Sequence, residues 1–311
     1  MAITIGVEFT AMACPCALRL VGADEAALRD AARRAIAEVR RIEARYSRYR
    51  DDSIVSAINA RAGSGEPLAV DGETAALLDF AASLHRASGG AFDITSGVLR
   101  RAWDFNGQRL PTPGEVDALL PLVGWQQVAW DGTHITLPRA GMQIDFGGFG
   151  KEYAADRCAG VLAAAGVDGG FVELGGDICI IGPAADGSPW QLGIRHPRRP
   201  GATVGEVALR QGALATSGDY ERFIEHGGRR YSHLLDARSG WPVGQWQSVS
   251  VVAPTCAAAG AVATLAMLLG AEAEPFLAAQ GLSYLAVDIR GGVRHGGSKP
   301  PTPPAGGSHA I

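Results

Sequence analysis

The order in which strand-like and helix-like patterns follow one another constrains the fold of this chain more than any single motif does. Residues 3–21, ITIGVEFTAMACPCALRLV, alternate along their length and predict a strand. Residues 24–46, DEAALRDAARRAIAEVRRIEARY, repeat apolar positions at helical spacing behind Asp24, a suitable N-cap. SRYRDDS breaks that helix. Residues 72–88 predict a second helix, residues 113–120 a short one, and QVAWDG with THITLP two short strands meeting at an Asp-Gly turn. GMQIDFGGFGKEYAADRCAGVLAAAG runs strand, glycine turn, helix. GGFVELGGDICIIG predicts a strand pair, and strands then dominate to about residue 253. Helices follow from about Cys256 to Leu269 and from about 273 to 280, and LSYLAVDIRGGVRH predicts a last strand pair. Regular βαβ alternation is missing, which favours an α+β fold with mainly antiparallel sheets and packed helices over a doubly wound one. Residues 1–295 read as one domain, and residues 296–311, GGSKPPTPPAGGSHAI, as a disordered Pro/Gly-rich tail.

Composition narrows the function classes. A net charge of −4 with no lysine/arginine block argues against nucleic acid and membrane-surface partners. The apolar run AAAGAVATLAMLLG is too short for a membrane span. The N-terminus lacks a basic region ahead of its apolar residues, so the chain as written reads as cytoplasmic, or periplasmic if a leader was removed. The five cysteines form no CxxC, which argues against a zinc site and a disulfide framework. Cys14 and Cys16 point to one face of the predicted strand and read as buried small hydrophobes.

Four stretches could carry chemistry, and each also reads as plain structure. IDFGGFGKEYAADR, residues 144–157, ends a predicted strand at Asp145 and opens a helix near Lys151. Free N–H groups at a helix start favour anions, but neither the dinucleotide nor the P-loop pattern is present. FDITSGVLRRAWDF, residues 92–105, places Asp93 and Thr95 on one face of an extended stretch, flanked by aromatic side chains suited to a flat heterocycle. VELGGDI is a Gly-Gly-Asp turn that could bring backbone to a ligand. In SGDYERFIEHGGRRYSHLLDARSG, residues 217–240, a hairpin turn at HGGRR would put His233 on a strand near Asp236. There it is either a general base or a satisfied structural histidine.

The joint order of these pieces resembles the FAD:protein FMN transferase family, the ApbE flavin transferases. The matching segments, from about Met12 to Gly270, are AMACPCAL, YSRYRDDSIVSAIN, FDITSG, IDFGGFGKEYAADR, VELGGDI, WQLGIRHP, ATSGDYERF with YSHLLDARSGWPV, and SVSVVAPTCAAAGAVATLAMLLG. The resemblance implies an α+β fold with FAD in a cleft. It also implies a magnesium-assisted reaction in which FMN passes to a threonine hydroxyl of an acceptor protein and AMP leaves. The acceptor would be a flavoprotein carrying a Ser/Thr-Gly-Ala-Thr type motif. By the same resemblance Met12, Tyr49, Ala91, Phe92, Asp93, Asp145, Lys151 and Leu234 contact FAD. Gly148, through its carbonyl, and Thr264 hold magnesium, and His233 is the base that activates the acceptor threonine.

Two positions depart from the pattern. Where relatives carry an aspartate four residues before the threonine of the metal site, this chain has Gly260. Either the pyrophosphate supplies most of the coordination, or a carboxylate such as Asp177 substitutes, or activity is reduced or lost. Glu152 stands where glycine is common and adds negative charge near the phosphate site, where it could hold a cation or reshape the turn. The transferase ranks first. A FAD-binding protein without transferase activity ranks second, and a FAD pyrophosphatase follows. DITSGVL lacks the acceptor threonine, which argues against self-modification there.

Overall fold

The computed structural model describes residues 2–107 and 109–298. Most of the predicted tail, residues 299–311, lies outside the described residues. The first alternating segment is a hairpin and not one strand: β1 (Ile3–Ala11) turns back into β2 (Cys14–Gly22). Alternation continues across the turn, so it gave no sign of the reversal. Met12 and Ala13 form the turn at φ 55° and 57°, left-handed values that cost a non-glycine residue energy.

α1 (Glu25–Tyr46) is capped by Asp24 as expected, and α2 (Ile54–Ala60) follows, unforeseen, behind the N-cap Ser53. Next come β3 (Leu68–Ala69) and α3 (Gly72–Ala87). Residues Ile94–Arg101 form a 3-10 helix, not the extended stretch predicted for this region. Asp93 turns the chain there, because its carboxylate takes the Thr95 N–H at 2.8 Å. α4 (Pro113–Asp117), β4 (Ala129–Trp130) and β5 (His134–Thr136) complete this part of the chain. Asp145 lies in no strand; its N–H donates to the Ile94 carbonyl at 2.8 Å, so the approach to α5 (Gly150–Ala164) is a pinned loop.

The remaining elements are β6 (Gly169–Leu174), β7 (Asp177–Gly182), β8 (Trp190–Arg195), β9 (Thr203–Leu209), β10 (Gly212–Gly218), β11 (Phe223–His226), β12 (Arg229–Ser232), β13 (Leu235–Asp236) and β14 (Trp241–Pro242). After them come β15 (Trp246–Ala253), α6 (Cys256–Leu269), α7 (Ala273–Gln280), β16 (Ser283–Asp288) and β17 (Val293–Gly296). One sheet organises them, in the order β1-β2-β6-β7-β10-β15-β16-β17, and every pairing is antiparallel.

Strand periodicity splits the middle of this sheet between two cores, while Val249, Val251 and Ala286 of β15 and β16 pack into a third with α6 and α7. Val172, Leu174, Cys179, Ala213 and Ala215 face α1, α5 and α6 in the larger one. Their neighbours Phe171, Ile178, Ile180 and Leu214 face the opposite way, where Leu192, Ile194, Val207 and Leu209 of the β8–β9 hairpin cover them. The Cys256–Gln280 run is longer than the sequence suggested and has the length and hydropathy of a membrane span, but 61% of its most apolar window is buried inside the protein. A 3-10 turn at Gly270–Glu272 interrupts it, and α6 packs on β10 and β15.

Candidate active site

A cavity of about 650 Å³ opens where the ends of several elements converge. Its walls come from the β1–β2 turn, the end of α1, the 3-10 helix, the glycine turn before α5, the end of β10, the β12–β13 link and α6. This size and mixed lining suit a small-molecule ligand.

The glycine turn forms the floor. α5 starts at Gly150 with no side-chain cap; the Gly150 N–H donates to the Phe146 carbonyl at 2.7 Å, and the helix start still favours an anion through its dipole. Gly148 is required by packing, since a Cβ there would lie 2.7 Å from the Phe92 ring. Asp145 is held in place by Arg48 at 3.0 Å, and the same guanidinium donates to the Gly97 carbonyl at 2.9 Å. Lys151 reaches Asp177 and lies 3.8 Å from Glu152. Burial disfavours its charge, but the two carboxylates outweigh burial and its pKa is raised.

The other walls differ in character. Met12 sits at the strained hairpin tip, its N–H donating to Glu43 at 2.6 Å. Tyr49 is 84% exposed at the cavity edge, which leaves its ring face open to a flat ligand. Ala91 and Phe92 are buried in the wall. Asp93 borders the cavity, but its carboxylate is occupied internally: Thr95 donates from both N–H and hydroxyl, and the Trp125 N–H donates at 2.7 Å. Its local role is to cap the 3-10 helix.

His233 is not strand-borne, because β12 ends at Ser232. Asp236 does not orient it either; that carboxylate pairs with Arg238 at 2.6 Å. Instead Nδ1 of His233 lies 3.2 Å from the Arg222 carbonyl oxygen. A carbonyl only accepts, so Nδ1 carries the hydrogen and Nε2 is the basic nitrogen. Burial pushes the imidazole down to about 4, and Arg100 adds to the shift. The ring is therefore neutral at physiological pH. Leu234 follows it in the wall, to which Thr264 and Leu268 of α6 also contribute.

Around Thr264 the polar groups are dense. Its hydroxyl lies 2.6 Å from that of Ser217, and Asp177 accepts the Thr216 N–H at 2.9 Å. Among the described residues no three His, Cys, Asp or Glu side chains converge in a metal-binding group. One buried carboxylate oxygen beside this region, Oε2 of Glu152, has no hydrogen-bond partner. Hard oxygen donors with one free carboxylate oxygen suit magnesium, provided that phosphate and water complete the shell.

All eleven residues singled out from the sequence line this one cavity. The sequence reading overlooked Arg48, Arg100, Arg222 and Ser217, which line it too. The signal for Arg48 was its place beside Tyr49 in the helix-breaking SRYRDDS. Nothing local distinguishes Arg100 or Ser217.

Known proteins share this architecture. The crystal structure of the ApbE protein from Thermotoga maritima superposes with a TM-score of 0.86 at 30% identity, covering 94% of this chain and 97% of that one. Flavin transferase ApbE from Vibrio cholerae gives a TM-score of 0.83 at 27% identity, covering 96% and 98%. In sequence, the FAD:protein FMN transferase of Treponema pallidum is 36% identical over 245 residues, spanning 73% of this chain and 67% of that protein. The sequence model described as the ApbE family matches residues 10–289. With the family model matching residues 10–289 and the overall fold shared with solved ApbE structures, the chain belongs to the ApbE family.

Proposed function

We infer that this protein is an FAD:protein FMN transferase, moving FMN from FAD to a threonine hydroxyl of an acceptor protein and releasing AMP. The observation that carries the reading is convergence: residues spread from Met12 to Thr264 line one cavity. The transferase names of the relatives support it.

The chain's own groups suit each requirement of the reaction. Tyr49 offers an open ring for stacking, and Met12, Phe92 and Leu234 supply apolar contact. The uncapped start of α5, Lys151 and Arg100 provide positive potential for the pyrophosphate. Neutral His233 accepts the threonine proton at Nε2 as the threonine oxygen attacks the phosphorus of the FMN half. The bond from that phosphorus to the bridging oxygen breaks, and AMP leaves with the electron pair. Thr264 and the Gly148 carbonyl would hold magnesium, which would supply charge neutralisation at the pyrophosphate. The acceptor is a flavoprotein with a Ser/Thr-Gly-Ala-Thr type motif.

Intact mass tests the reading directly. A threonine-containing acceptor peptide of that type, incubated with the protein and FAD, should gain one FMN in magnesium and none with chelator. FMN and AMP released to water with no gain by the peptide would instead identify a pyrophosphatase. Bound, intact FAD with neither product would leave only a binding protein.

A further inference from the structure

The two departures from the family pattern, Glu152 and Gly260, lie against each other. A Cβ built on Gly260 would fall 2.5 Å from Cγ of Glu152 and 3.0 Å from its Cδ and Oε1. The Glu152 carboxyl therefore occupies the space that any side chain at position 260 would enter. α5 and α6 are locked in this register. Asp156, one turn after Glu152, accepts the N–H groups of Cys256 and Ala257 at 2.7 and 2.8 Å. Positions 152 and 156 share one face of α5, and positions 256, 260 and 264 share one face of α6. Glu152 thus faces α6 beside the turn that leads to Thr264.

Its carboxyl group is buried beside that of Asp177, with one oxygen left without a partner. Glu152 is 8% exposed, yet it lines the cavity. Oε1 has the Lys151 ammonium at 3.8 Å, and Oε2 has no partner. A buried carboxylate oxygen left unpaired is costly unless something binds it. Asp177 is less available, because Lys151 and the Thr216 N–H take its oxygens.

We propose that Glu152 supplies the carboxylate ligand of the divalent cation, from α5 instead of α6, so that the acid has changed helices and Gly260 is the space it needs. The inference rests on the transferase reading only in taking a metal-bound pyrophosphate as the ligand of this cavity. It also alters what position 260 can do. An aspartate introduced there alone would collide with Glu152, so Gly260→Asp by itself does not restore a metal site.

Manganese binding, followed by the loss of the free-ion electron paramagnetic resonance signal in protein with FAD bound, tests this without turnover. Glu152→Gln keeps the shape and should weaken manganese roughly tenfold or more, since even outer-shell partners of a metal contribute that much. FAD affinity measured without metal should not fall, since the variant removes a negative charge near the phosphate site. Glu152→Gly with Gly260→Asp returns a carboxylate from the other helix and should recover most of the lost affinity. Gly260→Ala should weaken manganese by displacing Glu152. Unchanged manganese affinity in Glu152→Gln overturns the inference, and so does a wild-type protein that holds FAD but retains no manganese. The transferase reading fails separately, as absent FMN transfer while Glu152-dependent manganese binding persists.

Discussion

His233 shows how much a single residue owes to its surroundings. An isolated imidazole titrates near 6.5, whereas burial and Arg100 bring this one down to about 4. The neutral form is favoured in the folded state, so the unfolded chain binds the proton first as pH falls. This group's contribution to stability is complete above pH 6.5 and is lost as pH drops towards about 4. The imidazole resonances of His233, followed by NMR in the ligand-free protein, should show a midpoint well below 6.5, and Arg100→Leu should raise it. A midpoint at or above 6.5 would remove the argument for a neutral base. His233→Ala should slow FMN transfer far more than it weakens FAD binding; equal losses would make it a binding residue. The residue type was visible in YSHLLD, but its partner was not. Asp236 is close in sequence, and the Arg222 carbonyl reaches the ring only because β11 and β12 fold back on each other.

Among the elements, α5 and α6 matter most, and Asp156 joins them. Its two bonds to the first amides of α6 use a charged acceptor and add to the cap from Thr255, whose hydroxyl accepts the Ala258 N–H at 3.2 Å. Asp156→Ala should destabilise the protein by about 1–3 kcal/mol. Metal affinity should fall with it, because Glu152 and Thr264 would no longer be held in register. Denaturant unfolding and manganese binding on the same variant check both effects, and a loss of stability with metal affinity intact would mean that register does not depend on this cap. α5 itself was legible from IDFGGFGKEYAADR, where glycines precede a helical pattern. The strand expected before it was not formed, since the Ile94 carbonyl pins Asp145 in a loop. The 3-10 helix after Asp93 was also missed. DITSG suits an extended stretch or a capped turn equally, and the contacts with Trp125 decided for the turn.

For the whole molecule, the sheet is covered on both faces, and the cavity belongs to the helical side. The β8–β9 hairpin seals the opposite face, with Leu192 fully buried between them. Leu192→Ala should cost about 2–5 kcal/mol in denaturant unfolding. FAD affinity of the folded fraction should stay the same, as no residue of β8 or β9 lines the cavity. A fall in FAD affinity at matched folded fraction would mean that the two faces are coupled through the sheet.

The sequence by itself determined the fold class, the strand pair at VELGGDI and the helices from Glu25, Gly72, Gly150 and Cys256, and its motif order, through the family resemblance, pointed to eleven of the residues that line the cavity. Those follow from local periodicity, turn chemistry and motif order, which nearby residues specify. Tertiary structure alone decided that β1 and β2 are two strands, that a carbonyl orients His233, and that Glu152 fills the space above Gly260. Each of these depends on side chains or backbone brought together from separate parts of the chain. The two departures read from the sequence as a lost acid and a gained one. Their adjacency comes from the packing of α5 on α6, more than a hundred residues apart, which no local pattern encodes.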